Sequence, residues 1–170
     1  HLSERERARL AATGTAIAHC PTSNFFLGSG LFDLRAARAC EPPMRVGLAT
    51  DVGAGTTLSM LATMGAASWV GQLRGQPLHP ARALWLATRG AAQALALDNC
   101  VGDLAPGLDG DVAVLDLAAT PLLAARTAQV DDIDELLAVL MTFGDDRCVR
   151  ATYAAGQRVW ARDDAGGEAQ

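Results

Sequence analysis

Val46-Gly47-Leu48-Ala49-Thr50-Asp51-Val52-Gly53-Ala54-Gly55-Thr56-Thr57 is a short apolar run that ends in one carboxylate, passes through a glycine turn and enters a helical pattern. A continuous apolar run, without polar alternation, is the pattern of a parallel strand covered on both faces. In a parallel α/β barrel, a carboxylate at the C-terminal end of a strand points into the active-site mouth, where catalytic groups and metal ligands gather. Asp51 is therefore the leading candidate for a functional side chain, against the alternative that it caps the following helix or tightens the loop.

Working upstream, Ser3 and Glu6 form a capping box that opens a helix ending at Gly14. The small and apolar run Thr15 to Cys20 predicts a second buried strand, which Pro21 ends. The turn formers of Pro21 to Gly30 predict a loop, and Leu31 to Cys40 a short helix before the strand Arg45 to Thr50. Downstream, Leu58, Leu61, Gly65, Trp69 and Leu73 fall at helical spacing and predict a helix over 57–73 with that face on the sheet. A second helix after His79-Pro80 carries Leu84, Thr88, Ala91 and Leu95 on one face and ends near Asp98. Beyond it the character changes. Val101 to Gly107 is turn-rich, Asp111 to Leu117 reads as a strand, Ile133, Leu136, Leu137, Leu140 and Met141 mark an amphipathic helix, and Val149 to Trp160 reads as a hairpin around Ala155-Gly156.

The class is α/β. Residues 1–98 read as the C-terminal portion of a (β/α)₈ TIM barrel, 99–161 as strands of a small accessory β domain with an intervening helix, and 162–170 as a disordered tail. A closed barrel takes ~250 residues. With two barrel strands in view, the chain reads as incomplete at its N-terminus.

Composition narrows the chemistry. The 170 residues are 50% hydrophobic with a formal charge of −5, and all 14 cations are arginine. They form no basic stripe for a phosphate backbone, so nucleic-acid binding is disfavoured. Without lysine, Schiff-base and P-loop chemistry are excluded, and the glycine turn lacks G-x-G-x-x-G. No apolar run of membrane-spanning length and no signal-peptide centre are present, so no membrane association and a cytoplasmic location are expected. Cys20, Cys40, Cys100 and Cys148 form no C-x-x-C pair and read as reduced, mostly buried thiols.

Among the remaining candidates, His19 ends the neighbouring strand and shares the mouth with Asp51. It reads as a metal or substrate group or, preferentially, as a structural or supporting histidine. Ser23 and Asn24 follow it and either stabilise the loop or, for Asn24, reach the substrate pocket. His79 reads as an exposed cap, and the role of His1 is open. Asp145-Asp146-Arg147 reads preferentially as a loop-ordering ion pair rather than as a catalytic acid pair.

Several spaced motifs then coincide. His19-Cys20-Pro21-Thr22-Ser23-Asn24, Leu27-Gly28-Ser29-Gly30-Leu31-Phe32, Thr50-Asp51-Val52-Gly53-Ala54-Gly55-Thr56, Leu86-Ala87-Thr88-Arg89-Gly90-Ala91, Val101 to Gly107 and Gly144-Asp145-Asp146-Arg147 resemble, in order, the C-terminal part of the guanine deaminases of the amidohydrolase superfamily. The resemblance implies a metal-dependent hydrolase barrel with an accessory β-sandwich, a homodimer for the intact protein, and deamination of guanine to xanthine and ammonia at one zinc ion. It implies that Asp51 ligates zinc and accepts the proton of the attacking water, and that a glutamate protonates a ring nitrogen. It places the other zinc histidines, that glutamate and the purine-reading arginine upstream of residue 1, so these 170 residues alone are expected to be inactive. Another amidohydrolase, such as a chlorohydrolase or a different heterocycle deaminase, is the neighbouring alternative. A non-catalytic remnant acting in association is the third.

Overall fold

The computed structural model describes residues 2–162. The expectation of a disordered tail therefore falls, apart from Arg162, outside the described residues, as does His1. Arg162 itself pairs with Asp116 at 3.2 Å and donates to the carbonyls of Arg147 and Val149.

Helix α1 (Glu4–Ala12) starts as its sequence dictates. The Glu6 carboxylate takes the Ser3 N–H at 2.8 Å, the Ser3 hydroxyl faces the Glu6 N–H, and Gly14 follows the C-terminus at φ 65°. Strands β1 (Ile17–His19) and β2 (Val46–Leu48) pair in parallel, with Ile17 opposite Val46 and His19 opposite Leu48. They are shorter than the apolar runs that predict them, and β1 is not the buried strand expected: Ala18 is exposed and Ile17 half-buried, with only His19 buried. All three residues of β2 are buried, in a core with Met44, Met64, Leu86 and Met141.

The connection from β1 to β2 departs from the predicted loop. Pro21–Leu27 is a helix, α2, with proline in its first turn and Gly28 in the left-handed conformation as its stop. Its first three residues are buried, and as a first helical turn they pair their carbonyls within the helix, while the first N–H paired back along it is that of Asn24, to the Cys20 carbonyl at 3.0 Å. Helix α3 (Leu34–Arg38) is capped by Asp33, whose carboxylate takes the Ala36 N–H at 2.8 Å.

Helix α4 (Met60–Leu73) begins three residues later than predicted, under a Ser59 cap. Its buried face is Thr63, Met64, Ala66, Ala67 and Val70, whereas Leu58, Trp69 and Leu73 are largely exposed. Close approach explains the exchange. Gly65, of the predicted face, is buried, and a Cβ on it would lie 2.5 Å from the Met141 carbonyl, so small residues share the packed face with Met64 and Val70.

The single helix predicted after Pro80 is two, α5 (Pro80–Ala87) and α6 (Arg89–Ala94), broken at Thr88 (φ −120°, ψ −95°). Ala83, Leu86, Gly90 and Ala92 face inward, while Leu84 and Leu95 are exposed. Helix α7 (Pro121–Thr127), capped by Thr120, was not anticipated from the pattern. Helix α8 (Ile133–Phe143) was, although Ile133 is exposed.

Strands β3 (Val112–Leu115), β4 (Val149–Ala154) and β5 (Gln157–Ala161) form an antiparallel sheet in that order. The β4–β5 turn sits where predicted. Ala155 and Gly156 both have positive φ, as a two-residue hairpin requires. Helix α8 joins the halves: Leu140 packs with Leu123 and Cys148, and Met141 belongs to the β2 core. The cysteines are free, with Cys148 buried but Cys100 exposed, so the thiols are less uniformly buried than expected. No helix among the described residues is long and apolar enough to cross a membrane.

Candidate active site

Parallel pairing brings the C-terminal ends of β1 and β2 side by side, followed by α2 and the segment Ala49–Gly55 respectively. Asp51 stands three residues beyond β2, exposed, with φ 50°. Aspartate tolerates this left-handed conformation better than most residues. Its carbonyl accepts the N–H groups of Gly55 at 2.5 Å and Ala54 at 3.2 Å, curling the loop on itself. Gly55 is required sterically, because a Cβ there would lie 1.8 Å from the Thr50 carbonyl oxygen. The glycine turn thus serves backbone approach, and the cap of α4 is Ser59.

The Asp51 side chain turns toward α2. The Ser23 hydroxyl, on a residue only 3% exposed, donates to Asp51 Oδ2 at 2.7 Å. Sequence reasoning gave Ser23 only a local role. The pair spans 28 positions, and no local pattern signals it. Cys20 faces the same charge: burial first, and then the Asp51 carboxylate, push its thiol pKa up, keeping it a protonated thiol rather than a nucleophile.

His19 takes a different course. Its side chain is buried and stacks, tilted by 38°, against Phe32 with ring centroids 4.9 Å apart. Burial pushes its pKa down to about 4, so the ring is neutral at physiological pH. It lines a small cavity with Leu34, Val70 and Leu78. Asn24, half-buried, borders a separate cavity of about 220 Å³ with Arg7, Asp33 and Arg74. There Asp33 binds Arg74 at 2.5 Å. Burial raises the Asp33 pKa, but hydrogen bonds from the Ala36 N–H, Gln76 and Arg74 outweigh it and leave the carboxyl below its ordinary range. Asp51, His19 and Asn24, together in the sequence-based site, thus have separate sets of contacts. A larger groove of about 490 Å³ lies beside the Asp51 loop, lined by Thr22, Phe25, Phe26, Thr56, Thr57 and Trp69 among others.

Asp145 and Arg147 form a two-pronged ion pair at 2.6–3.1 Å, and the Asp145 carboxylate also accepts the Arg147 N–H. That hydrogen-bonded guanidinium holds the Asp145 pKa low and orders the turn into β4. His79 caps α5 and lies 3.5 Å from Asp134 on α8, largely exposed. Among the described residues, no three His, Cys, Asp or Glu side chains converge in a way that could hold a metal ion.

Residues 1–159 match the sequence model of the Amidohydrolase family. The chain is 44% identical over 163 residues to guanine deaminase of Escherichia coli (strain K12), an alignment covering 96% of this chain and 37% of that protein. The solved E. coli guanine deaminase superposes with a TM-score of 0.90 over 95% of this chain and 38% of its own. Guanine deaminase from C. acetobutylicum, solved with guanine in its active site, matches with 26% identity and a TM-score of 0.78 over 94% of this chain and 37% of its own. A Xanthomonas campestris adenosine deaminase with bound zinc matches with 26% identity and a TM-score of 0.73 over 93% of this chain and 35% of its own. The chain spans about 37% of the length of the curated E. coli relative.

Proposed function

Since this chain belongs to the amidohydrolase family, with its residues 1–159 matching that family, we propose that it carries the Asp51-bearing part of a guanine-deaminating hydrolase. The observation that carries the proposal is the placement of Asp51: an exposed carboxylate at the ends of two parallel strands, held by a buried hydroxyl. Its 44% identity to the E. coli guanine deaminase supports guanine as the substrate. The reaction is hydrolytic. A water oxygen bonds to the ring carbon that bears the amino group, the C–N bond breaks, and ammonia leaves with xanthine as the other product. Asp51 is assigned the proton given up by the attacking water and its transfer to the departing amino group, which leaves as ammonia, a role that needs a fixed carboxylate within hydrogen-bond reach.

The proposal includes the architecture of a barrel portion over 1–98 and accessory sandwich strands over 99–161. It also includes a homodimeric, cytoplasmic intact protein, and His19 and Asn24 as groups that shape the pocket rather than react. Zinc in the related Xanthomonas enzyme supports a metal for the intact protein. The described residues do not by themselves fit one, since a catalytic zinc takes three protein ligands plus an open position and Asp51 brings a single carboxylate.

The test joins the N-terminal portion of the E. coli relative to these 170 residues and measures guanine-dependent ammonia release and zinc content. Turnover in the chimera, reduced at least about a thousandfold by Asp51→Ala, is the expected outcome, with no turnover by the 170 residues alone. A chimera that folds and binds zinc but leaves guanine intact while releasing ammonia from another heterocycle would replace the substrate assignment.

A further inference from the structure

Asp51 has two carboxylate oxygens, and the protein treats them differently. Oδ2 accepts the Ser23 hydroxyl at 2.7 Å, while no hydrogen bond from the described residues reaches Oδ1. Ser23 is almost fully buried in the first turn of α2, whereas Asp51 is exposed on a loop. A hydroxyl carries one proton, so donating it to Oδ2 commits that proton. A hydroxyl bonded to a carboxylate oxygen makes one of the stronger hydrogen bonds a side chain can offer.

The backbone that carries the carboxylate is fixed separately. Asp51 sits at φ 50°, with its carbonyl tied to the N–H groups of Ala54 and Gly55. The residue is thus gripped at its own carbonyl and at Oδ2, while Oδ1 takes no hydrogen bond from the described residues.

We infer that Ser23 is the positioning residue for Asp51, fixing the carboxylate rotamer through Oδ2 so that Oδ1 is the working oxygen. This rests on the reading of Asp51 as the proton-accepting group. It goes beyond that reading by giving the two oxygens separate tasks and by assigning the orientation to a residue on the neighbouring strand's helix.

The first measurement needs no turnover and uses the 170-residue chain, labelled with ¹³C and ¹⁵N. Three-bond couplings about χ1 of Asp51 report whether its side chain occupies one rotamer. One rotamer in the wild type and in Ser23→Thr, with averaged couplings in Ser23→Ala and the remaining spectrum unchanged, is the expected result. Averaging already present in the wild type, or an unaltered single rotamer in Ser23→Ala, overturns the inference.

The second measurement uses the chimera with the E. coli N-terminal portion. Ser23→Ala is expected to lower kcat by about ten- to a hundredfold, the scale of a modest misplacement of a reacting group, with KM unchanged and Ser23→Thr restoring most of the rate. A Ser23→Ala chimera with wild-type kcat also overturns the inference. A wild-type chimera without guanine turnover fails the functional reading instead, and leaves the rotamer measurement to decide the role of Ser23.

Discussion

The neutral imidazole of His19 imposes a pH dependence on the fold. In the unfolded chain a histidine takes up its proton near pH 6.5, but burial in the folded state delays uptake to about pH 4. A folded pKa below the unfolded one means stability is fully present above about pH 6.5 and is lost as the pH falls toward 4. The loss is on the order of 3 kcal/mol for the gap between those two values. Asp33 and Asp145, whose carboxyls lie below their ordinary range, act in the same direction. Urea denaturation across pH 4 to 7 of the wild type beside His19→Gln isolates the histidine. The variant is expected to lose most of that part of the pH dependence, and equal slopes would place His19 in contact with water. Ser23 and Asp51 show the limit of local reading. Asp51 was legible because an apolar run ended in a carboxylate before glycines. Its partner was not, because the hydrogen bond joins two segments that only parallel pairing brings together.

The strands and most helices were legible because their signals are local: a capping box at Ser3, apolar runs for β1 and β2, of which only β2 is buried throughout, and a two-residue turn at Ala155-Gly156. Helix α7 escaped, as did helix α2 and the packed faces of α4 and the α5–α6 pair. Helix α2 is written in turn-forming residues, and tertiary burial of Pro21, Thr22 and Ser23 overrides their preference. The faces of α4 and of the α5–α6 pair follow small residues, because their neighbours approach at backbone distance, while the periodicity of bulky residues marked the exposed side. Gly47 makes the same point on a strand. A Cβ there would lie 2.6 Å from Ala91 Cα on α6, and backbone cannot swing aside as a flexible side chain can. Gly47→Ala is therefore expected to push α6 off β2 and cost about 1–3 kcal/mol, read as a lowered midpoint in thermal or urea unfolding. An unchanged midpoint would mean that α6 sits further from the sheet.

Across the whole molecule, two sheets of opposite kind share one connecting helix. The α/β class was legible from the alternation of elements. That α8 contributes both to the β2 core, through Met141, and to the second core, through Leu140, was not, since one amphipathic stripe does not reveal how many neighbours divide it. The two sheets also differ in how far apart their partners lie along the chain. Strands β4 and β5 meet across two residues, whereas β1 and β2 come together only after α2 and α3 have been threaded between them, with Ile17 opposite Val46. Closing a short loop is fast and long-range pairing is slow, which makes the hairpin the early event of folding and the parallel pair a late one. In pulse-labelling hydrogen exchange during refolding, amides of Val149–Ala154 are expected to gain protection before those of Val46–Leu48. The seat of Asp51 would then be among the last parts of the chain to acquire its shape.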